Sequence, residues 1–206
     1  MLCTDNIQKI RKVRTDQEMM DPLTQIALKH HTDKYEPHRY TGAYHRHLGH
    51  LRDEPVTLVE IGVASGGSIE MWGEYFTNWY AQIIGIDIDP DCYYEPEDSR
   101  LDIRIADGTK DSTGVHGGVD ILIDDGSHTS EDILRAYSFW WPKVVSGGWY
   151  IIEDLKVQWR RDYGGGSTGS NVINTVLGHA TGLMRGDEGK VKSLHIYDEI
   201  VLLEKN

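Results

Sequence analysis

The regular alternation of short apolar runs with helix-like patterns is the sequence feature that most constrains the fold. Five runs rich in β-branched residues occur, at residues 57–63, 82–88, 101–107, 119–125 and 148–154. Helix-like patterns lie between several of them, including residues 67–80 and 130–144, where Ser130 is the expected N-cap. Alternating strands and helices predict an α/β fold with a mostly parallel sheet and helices on both faces. Residues 192–206 contain two more apolar runs, which predicts a C-terminal antiparallel hairpin.

A length of 206 residues favours one structural domain over two small ones. Residues 1–50 precede the first predicted strand and are predicted to form an N-terminal helical or cap segment, and residues 51–206 the α/β domain. The stretch from residue 15 to residue 50 is rich in His, Tyr and charge. We expect its helices to pack over the edge of the sheet or over the functional site.

The charge balance limits the classes of partner. The chain has 33 acidic and 21 basic side chains, so its surface is expected to repel phosphate backbones and anionic lipid. We therefore predict no nucleic acid and no membrane partner, and a small molecule or another protein instead. The N-terminus lacks the apolar core of a signal peptide, which predicts a cytoplasmic location. Cys3 and Cys92 lack zinc-type spacing and are predicted to be incidental thiols.

Small and acidic residues follow the first three predicted strands, at the end of the sheet where α/β proteins bind ligands. The segment from Glu60 to Ser68 is rich in glycine and serine, which lets a ligand approach the backbone and the next helix N-terminus. Asp87 suits the two hydroxyls of a ribose, and Asp107-Gly108 suits an exocyclic amine. Each feature alone is compatible with a purely structural turn. The three together favour a nucleoside-type cofactor.

The fourth and fifth predicted strands end in acids: Asp124 and Asp125, followed by His128, and Glu153 with Asp154. Carboxylates on adjacent parallel strands converge, and their repulsion favours a shared cation. Hard oxygen ligands indicate Mg²⁺, with Mn²⁺ or Ca²⁺ as alternatives. Adjacent strand residues face opposite ways, so the two neighbouring aspartates should have different roles. Solvated helix-capping acids are the alternative interpretation, as is a structural histidine in place of a general base.

Three other features have mainly structural interpretations. The stretch YGGGSTGS, residues 163–170, is predicted to be a mobile loop that ends in a helix N-cap. The six histidines between residues 30 and 50 are expected to form a solvated face, although His45 and His47 leave a metal site open. Trp140 and Trp141 are expected to lie in the core rather than to form a substrate platform.

These motifs resemble class I S-adenosylmethionine-dependent methyltransferases, and most of all the metal-dependent sugar O-methyltransferases of macrolide biosynthesis. The resemblance depends on Glu60-Ile-Gly62, Gly66-Gly67-Ser68, Asp87, Asp107-Gly108, IDDGSH, IIEDL with Trp159, and Tyr163-Gly164-Gly165. Residues 29–48 also resemble a segment that precedes the core of those proteins, with His31 where glycine is usual. The resemblance covers about residues 29–170 and implies a Rossmann-like domain with a seven-stranded sheet.

The resemblance also implies roles for individual residues. Cofactor-binding positions would be Thr32, Glu60, Gly62, Ser65, Ser68, Asp87, Asp107, Gly108 and Asp124. The Mg²⁺ ligands would be Asp125, Glu153 and Asp154, and the general base would be His128.

The implied reaction is a metal-assisted transfer of a methyl group from S-adenosylmethionine to a hydroxyl of a sugar or glycosylated natural product. Two alternatives remain open. The first is a metal-dependent, hydroxylase-like relative of the cephalosporin hydroxylase group, which would need redox iron. The predicted ligands contain no pair of histidines with a carboxylate, which favours methyl transfer. The second is a non-catalytic protein that binds S-adenosylmethionine, which would need neither the base nor the full set of acids. Homo-oligomerisation is also left open.

Overall fold

A single seven-stranded sheet forms the centre of the protein. The computed structural model describes residues 20–187 and 189–206. The strands are β1 (Thr57–Ile61), β2 (Gln82–Asp87), β3 (Leu101–Ile105), β4 (Val119–Asp124), β5 (Val144–Ile152), β6 (Val191–Ile196) and β7 (Val201–Lys205).

The strand order is β3-β2-β1-β4-β5-β7-β6. Strands β1 to β5 pair in parallel, and β7 pairs antiparallel with both β5 and β6. The predicted α/β class, the parallel sheet and the closing hairpin are therefore confirmed. The order reverses between β1 and β4, which creates the crevice where such folds bind ligands.

Five α-helices surround the sheet in the described part of the chain. They are α1 (Pro22–Ala27), α2 (Thr41–Leu48), α3 (Gly67–Tyr75), α4 (Ser130–Trp140) and α5 (Asn171–Arg185). Short 3₁₀ helices occupy Gly49–Leu51, Pro90–Cys92, Trp141–Lys143, Leu155–Trp159 and Arg161–Tyr163.

The helix boundaries correct two details of the sequence analysis. The N-cap of α4 is Thr129 rather than Ser130, because the Thr129 side chain accepts the backbone N–H of Asp132. Helix α3 ends at Tyr75, since Phe76 adopts an extended conformation, and does not continue to residue 80. The N-cap predicted at the end of the glycine loop is confirmed, because Ser170 accepts the backbone N–H groups of Val172 and Ile173.

The core has two layers, one on each face of the sheet. Helices α1, α2 and α3 cover one face, where the buried side chains include Tyr44, Trp72 and Ile123. Helices α4 and α5 cover the other face. Trp140 and Trp141 are buried there, as predicted. Because strand side chains alternate between faces, the two layers divide neighbouring residues of each strand between them.

The described part of the 1–50 segment, from residue 20 onward, forms α1 and α2 and lies against the same core as α3. Cys92 is a half-buried free thiol. Cys3 and the stretch from 15 to 19 lie outside the described residues. Within the described residues, we find no helix with both the length and the apolar character needed to cross a bilayer. The division at residue 50 stays a prediction.

Candidate active site

An open cavity of about 630 Å³ lies at the carboxyl ends of the central strands. Ten of the predicted site residues line it: Thr32, Gly62, Ser65, Ser68, Asp87, Asp107, Gly108, Asp125, His128 and Asp154. The other three, Glu60, Asp124 and Glu153, are buried and do not line the cavity. The carboxyl ends of β1, β2 and β4 thus bring most of the predicted positions together.

The turn after β1 lines one side of the cavity with glycines. Gly62 has a φ of +97°, and a Cβ atom there would lie 2.2 Å from the backbone oxygen of Asp125. A Cβ on Gly67, which opens α3, would lie 2.5 Å from the backbone oxygen of His30. A side chain at either position would meet backbone that cannot move aside. Close packing therefore requires glycine at both positions, and both glycines line the cavity.

Asp87, at the end of β2, is fixed by the same turn. Its Oδ2 accepts the backbone N–H of Val63 at 2.8 Å and of Ala64 at 3.3 Å, and its Oδ1 accepts the N–H of Asp89 at 2.9 Å. Partial burial raises the pKa of Asp87, but these backbone hydrogen bonds outweigh it and hold the pKa below its usual value. The carboxylate is therefore an ionised acceptor at the cavity wall.

Asp107, after β3, is held by its own turn. Its Oδ1 accepts the N–H and the hydroxyl of Thr109 at 3.0 and 2.6 Å, and Lys110 Nζ lies 2.7 Å from Oδ2. The hydrogen bonds from Lys110 and Thr109 lower the pKa of Asp107 to about 2. The next residue, Gly108, lacks a side chain that would meet Ile61, since its Cβ would lie 2.8 Å from Ile61 Cγ2.

The adjacent aspartates at the end of β4 face opposite sides of the sheet. Asp124 is 4% exposed and accepts the Tyr150 hydroxyl at 3.1 Å, in the layer under α4 and α5. Burial raises the pKa of Asp124 to about 7. Asp125 turns to the other side, where its Oδ2 accepts Lys34 Nζ at 2.8 Å. The prediction that the two residues differ in role therefore has a structural basis.

Asp125, His128 and Asp154 form a cluster in the cavity. One ligand atom from each of the three lies within 4.8 Å of the others. His128 Nε2 is 3.4 Å from Asp154 Oδ2. Two carboxylates in a partly open position suit a divalent cation that keeps other positions for water or substrate, and the His128 imidazole lies beside them. The donor set thus fits Mg²⁺ or Mn²⁺.

Glu153 lies behind this cluster. It is 2% exposed, both of its oxygens accept Lys34 Nζ at 2.8 and 2.9 Å, and Tyr44 donates its hydroxyl to Oε1. Burial and the Asp125 charge raise the pKa of Glu153. Glu60 is also buried, with Trp72 Nε1 donating to its Oε2 at 2.6 Å. Glu60 Oε1 lies 3.1 Å from Lys34 Nζ, an ion pair without hydrogen-bond alignment.

Lys34 belongs to the segment of residues 32–40 that the resemblance implies closes over the cofactor, but the sequence predicted no role for its side chain. Its side chain is fully buried, and burial lowers its pKa, but Asp125, Glu153 and Glu60 outweigh this and raise the pKa well above its ordinary value. In the sequence it is one cation in a segment crowded with charged and aromatic residues. No spacing rule identifies a lysine that will be buried against carboxylates about a hundred residues away.

Two histidines of residues 29–48 are hydrogen-bonded to tyrosine side chains. His45 Nδ1 lies 2.8 Å from the Tyr75 hydroxyl, and His47 Nε2 lies 2.8 Å from the Tyr197 hydroxyl. Neither belongs to the candidate metal clusters of the described residues. His38 does, in a second group with Asp154 and Glu199.

Comparison with known proteins agrees with this geometry. Residues 59–155 match the family model described as a methyltransferase domain. The 8-demethyl-8-alpha-L-rhamnosyl tetracenomycin-C 2'-O-methyltransferase of Streptomyces olivaceus is 39% identical over 150 residues, which cover 66% of this chain and 38% of the relative. The demethylmacrocin O-methyltransferase of Streptomyces fradiae is 29% identical over 89% of this chain and 53% of its own length.

The fold has a similar counterpart among solved structures. The MycE methyltransferase of the mycinamycin biosynthetic pathway, solved with Mg, SAH and mycinamycin VI, is 25% identical, with a TM-score of 0.78 over 91% of this chain and 54% of that one. This chain therefore spans about half or less of the length of these relatives.

The fold, the cavity at the carboxyl ends of the strands and the family match together define the class: the chain belongs to the class I S-adenosylmethionine-dependent methyltransferases. Within this class it is similar to the sugar O-methyltransferases of the tetracenomycin and mycinamicin pathways.

Proposed function

We propose that the protein transfers a methyl group from S-adenosylmethionine to a hydroxyl of a sugar on a glycosylated natural product, with Mg²⁺ or Mn²⁺ assisting. The observation that carries this proposal is the continuity of one cavity. It runs from the glycine turn, Asp87 and Asp107 to Asp125, His128 and Asp154. A cofactor surface and an acid–base cluster thus share one space.

The cofactor side is built to hold a nucleoside and a charged amino acid group. Asp87 would accept the ribose hydroxyls, and Asp107 with Gly108 would contact the adenine. The turn with Gly62, Ser65 and Ser68 would lie against the methionine part, alongside Thr32. Because Glu60 and Asp124 are buried, their contribution would be to hold the turn and the end of β4 in place. S-adenosylmethionine supplies the activated methyl group on its sulfonium.

The acceptor side would use His128 as the general base. The proton of the sugar hydroxyl would pass to His128 Nε2, and Asp154 Oδ2, 3.4 Å away, would stabilise the imidazolium. Asp125 and Asp154 would hold the cation, with Glu153 within the same network through Lys34. A bound divalent cation would lower the pKa of the hydroxyl as a Lewis acid. Most of the rate would come from positioning, since the methyl group is already activated.

The hydroxylase alternative finds less support. Neither candidate metal cluster of the described residues contains two histidines with a carboxylate, the arrangement typical of non-haem iron oxygenases. The relatives at 29% identity or more are named as O-methyltransferases. A protein that only binds S-adenosylmethionine would not need the His128 and Asp154 pair.

Calorimetric titration with S-adenosylmethionine and with S-adenosylhomocysteine, each with and without EDTA, tests the proposal. We expect both to bind in either condition, because the cofactor positions do not include the candidate metal cluster. Failure of both to bind would refute the proposal. A screen of sugar nucleotides and glycosylated natural products, with Mg²⁺ present, would then identify acceptors by a mass gain of one methylene. Removal of Mg²⁺ by EDTA should abolish that gain.

A further inference from the structure

The structure assigns Lys34 a role as a positioning residue: its buried ammonium ion holds Asp125 and Glu153 together and offsets part of the negative charge of the carboxylate cluster, so that the site keeps its shape without a divalent cation. The inference deepens the proposed function and depends on it for the catalytic consequence only. The structural part can be tested without any methyl acceptor.

The hydrogen bonds of Lys34 carry the argument. A lysine ammonium has three N–H donors. Asp125 Oδ2, Glu153 Oε1 and Glu153 Oε2 accept from Nζ at 2.8, 2.8 and 2.9 Å, which uses all of them. The side chain is fully buried, so water does not compete for these donors. Lys34 therefore fixes the separation and the orientation of two carboxylates that come from different strands.

The balance of charge supports the same role. Glu60, Asp125 and Glu153 all lie within 3.1 Å of the one ammonium nitrogen. Without a cation, buried carboxylates at this separation repel each other strongly. Lys34 is the only basic side chain within salt-bridge distance of any of the three among the described residues. Its charge is attached to the chain, so the fold does not depend on metal to bring the strand ends together.

Two tyrosines from the same segment complete the arrangement. Tyr44 donates to Glu153, and Tyr40 donates its hydroxyl to Asp154 Oδ1 at 2.7 Å. Residues 34 to 44 thus contact Asp125, Glu153 and Asp154, the three predicted metal ligands. This segment, which precedes the sheet in sequence, thus hydrogen-bonds to all three predicted metal ligands. Lys34 makes three of these hydrogen bonds.

The test compares wild type with Lys34→Met, which keeps the length of the side chain and removes its charge. Thermal unfolding in EDTA and in excess Mg²⁺, and Mn²⁺ binding by electron paramagnetic resonance, are measured for both. Removal of a positive charge beside the site should tighten Mn²⁺ binding about tenfold. The Mg²⁺-dependent rise in melting temperature should be at least about twice that of wild type.

Lys29→Met is the matched control, because Lys29 is exposed and, among the residues that the structure describes, forms an ion pair only with Glu74 on the surface. It should match wild type in both measurements. Asp125→Asn defines the background of non-specific Mn²⁺ binding to an acidic protein. A folded Lys34→Met protein whose melting temperature in EDTA and whose Mg²⁺-dependent rise both equal those of wild type would overturn the inference.

The double variant Lys34→Met/Glu153→Gln covers the case in which the single variant does not fold. Removal of one negative charge along with the positive one should restore folding in EDTA. A double variant that stays unfolded would show that Lys34 acts only through packing and would overturn the inference. If wild type binds no Mn²⁺, metal assistance in the proposed function fails. The EDTA unfolding of the single and double variants still decides the role of Lys34.

Discussion

Two residues at the centre of the site adopt a backbone conformation that ordinary residues avoid. His128 and Asp154 both have a φ of +55°. The left-handed region costs about 1 kcal/mol or more for a residue with a Cβ, and it is best tolerated by Gly, Asn and Asp. Gln158 Nε2 donates to the His128 carbonyl at 2.6 Å, and Tyr40 holds Asp154. The surrounding contacts thus stabilise two strained residues whose side chains meet in the cavity.

The first prediction concerns the side chain of His128. His128→Asn should keep the fold and S-adenosylhomocysteine affinity, because asparagine accepts a positive φ. Methyl transfer should fall by about 10² to 10⁴, the usual contribution of a general base. Calorimetry and an acceptor assay measure the two effects on one preparation. Wild-type turnover would show that another group takes the proton.

At the scale of the element, the turn between β1 and α3 joins the two halves of the cavity. Gly62 N donates to the carbonyl of Ile86 in β2 at 2.8 Å, and Asp125 N donates to that of Ile61 at 2.9 Å. The turn is thus hydrogen-bonded to the strands that carry Asp87 and Asp125. Its shape therefore sets where both carboxylates lie.

The second prediction is that Gly62→Ala will cost about 3 kcal/mol or more of folding free energy. The new Cβ would meet the Asp125 backbone oxygen, and the φ of +97° is unfavourable for alanine. Cofactor affinity should fall in parallel, because the turn must move. Gly178→Ala in α5 is the control: its Cβ would meet no atom within 4 Å, so it should stabilise the protein slightly. Equal melting temperatures for the two variants would contradict this interpretation of the turn.

At the scale of the whole molecule, each layer packed against the sheet contains a histidine whose pKa is lowered by folding. His179 in α5 lies 2.9 Å from the Tyr137 hydroxyl, and burial lowers its pKa. His47 in α2 is on the opposite face, where burial and then His195 lower its pKa. Protonation of these histidines at acid pH should therefore destabilise both layers.

The third prediction follows from the sign of these shifts. A histidine whose pKa is lowered by folding contributes stability that is complete above its unfolded pKa, about 6.5, and is lost as the pH falls through the folded pKa. The contribution of these two histidines to wild-type stability should therefore fall as the pH drops below about 6.5, whereas Asp124, whose pKa folding raises, acts in the opposite direction in every variant. Compared with wild type, His179→Gln should lose less stability as the pH falls, and the double variant with His47→Gln less still. Chemical denaturation at several pH values measures this.

The exposed His116→Gln serves as the control for that series, since its side chain lies outside both layers. Its pH dependence should match wild type. A loss of stability as steep in the double variant as in wild type would exclude the buried histidines as its source.

The sequence by itself determined the order of strands and helices, the closing hairpin and most of the cavity wall. These follow from periodicity and from the rule that residues after parallel strands meet at one edge of the sheet. The same periodicity assigned Asp124 and Asp125 to opposite faces. The tertiary structure decided which acids face the cavity. Glu60 and Glu153 sit at strand ends that look equivalent in sequence, yet both are buried against Lys34. The contact between Lys34 and Glu153 joins segments more than a hundred residues apart, and no local pattern encodes it because burial of a charge depends on packing from several elements at once.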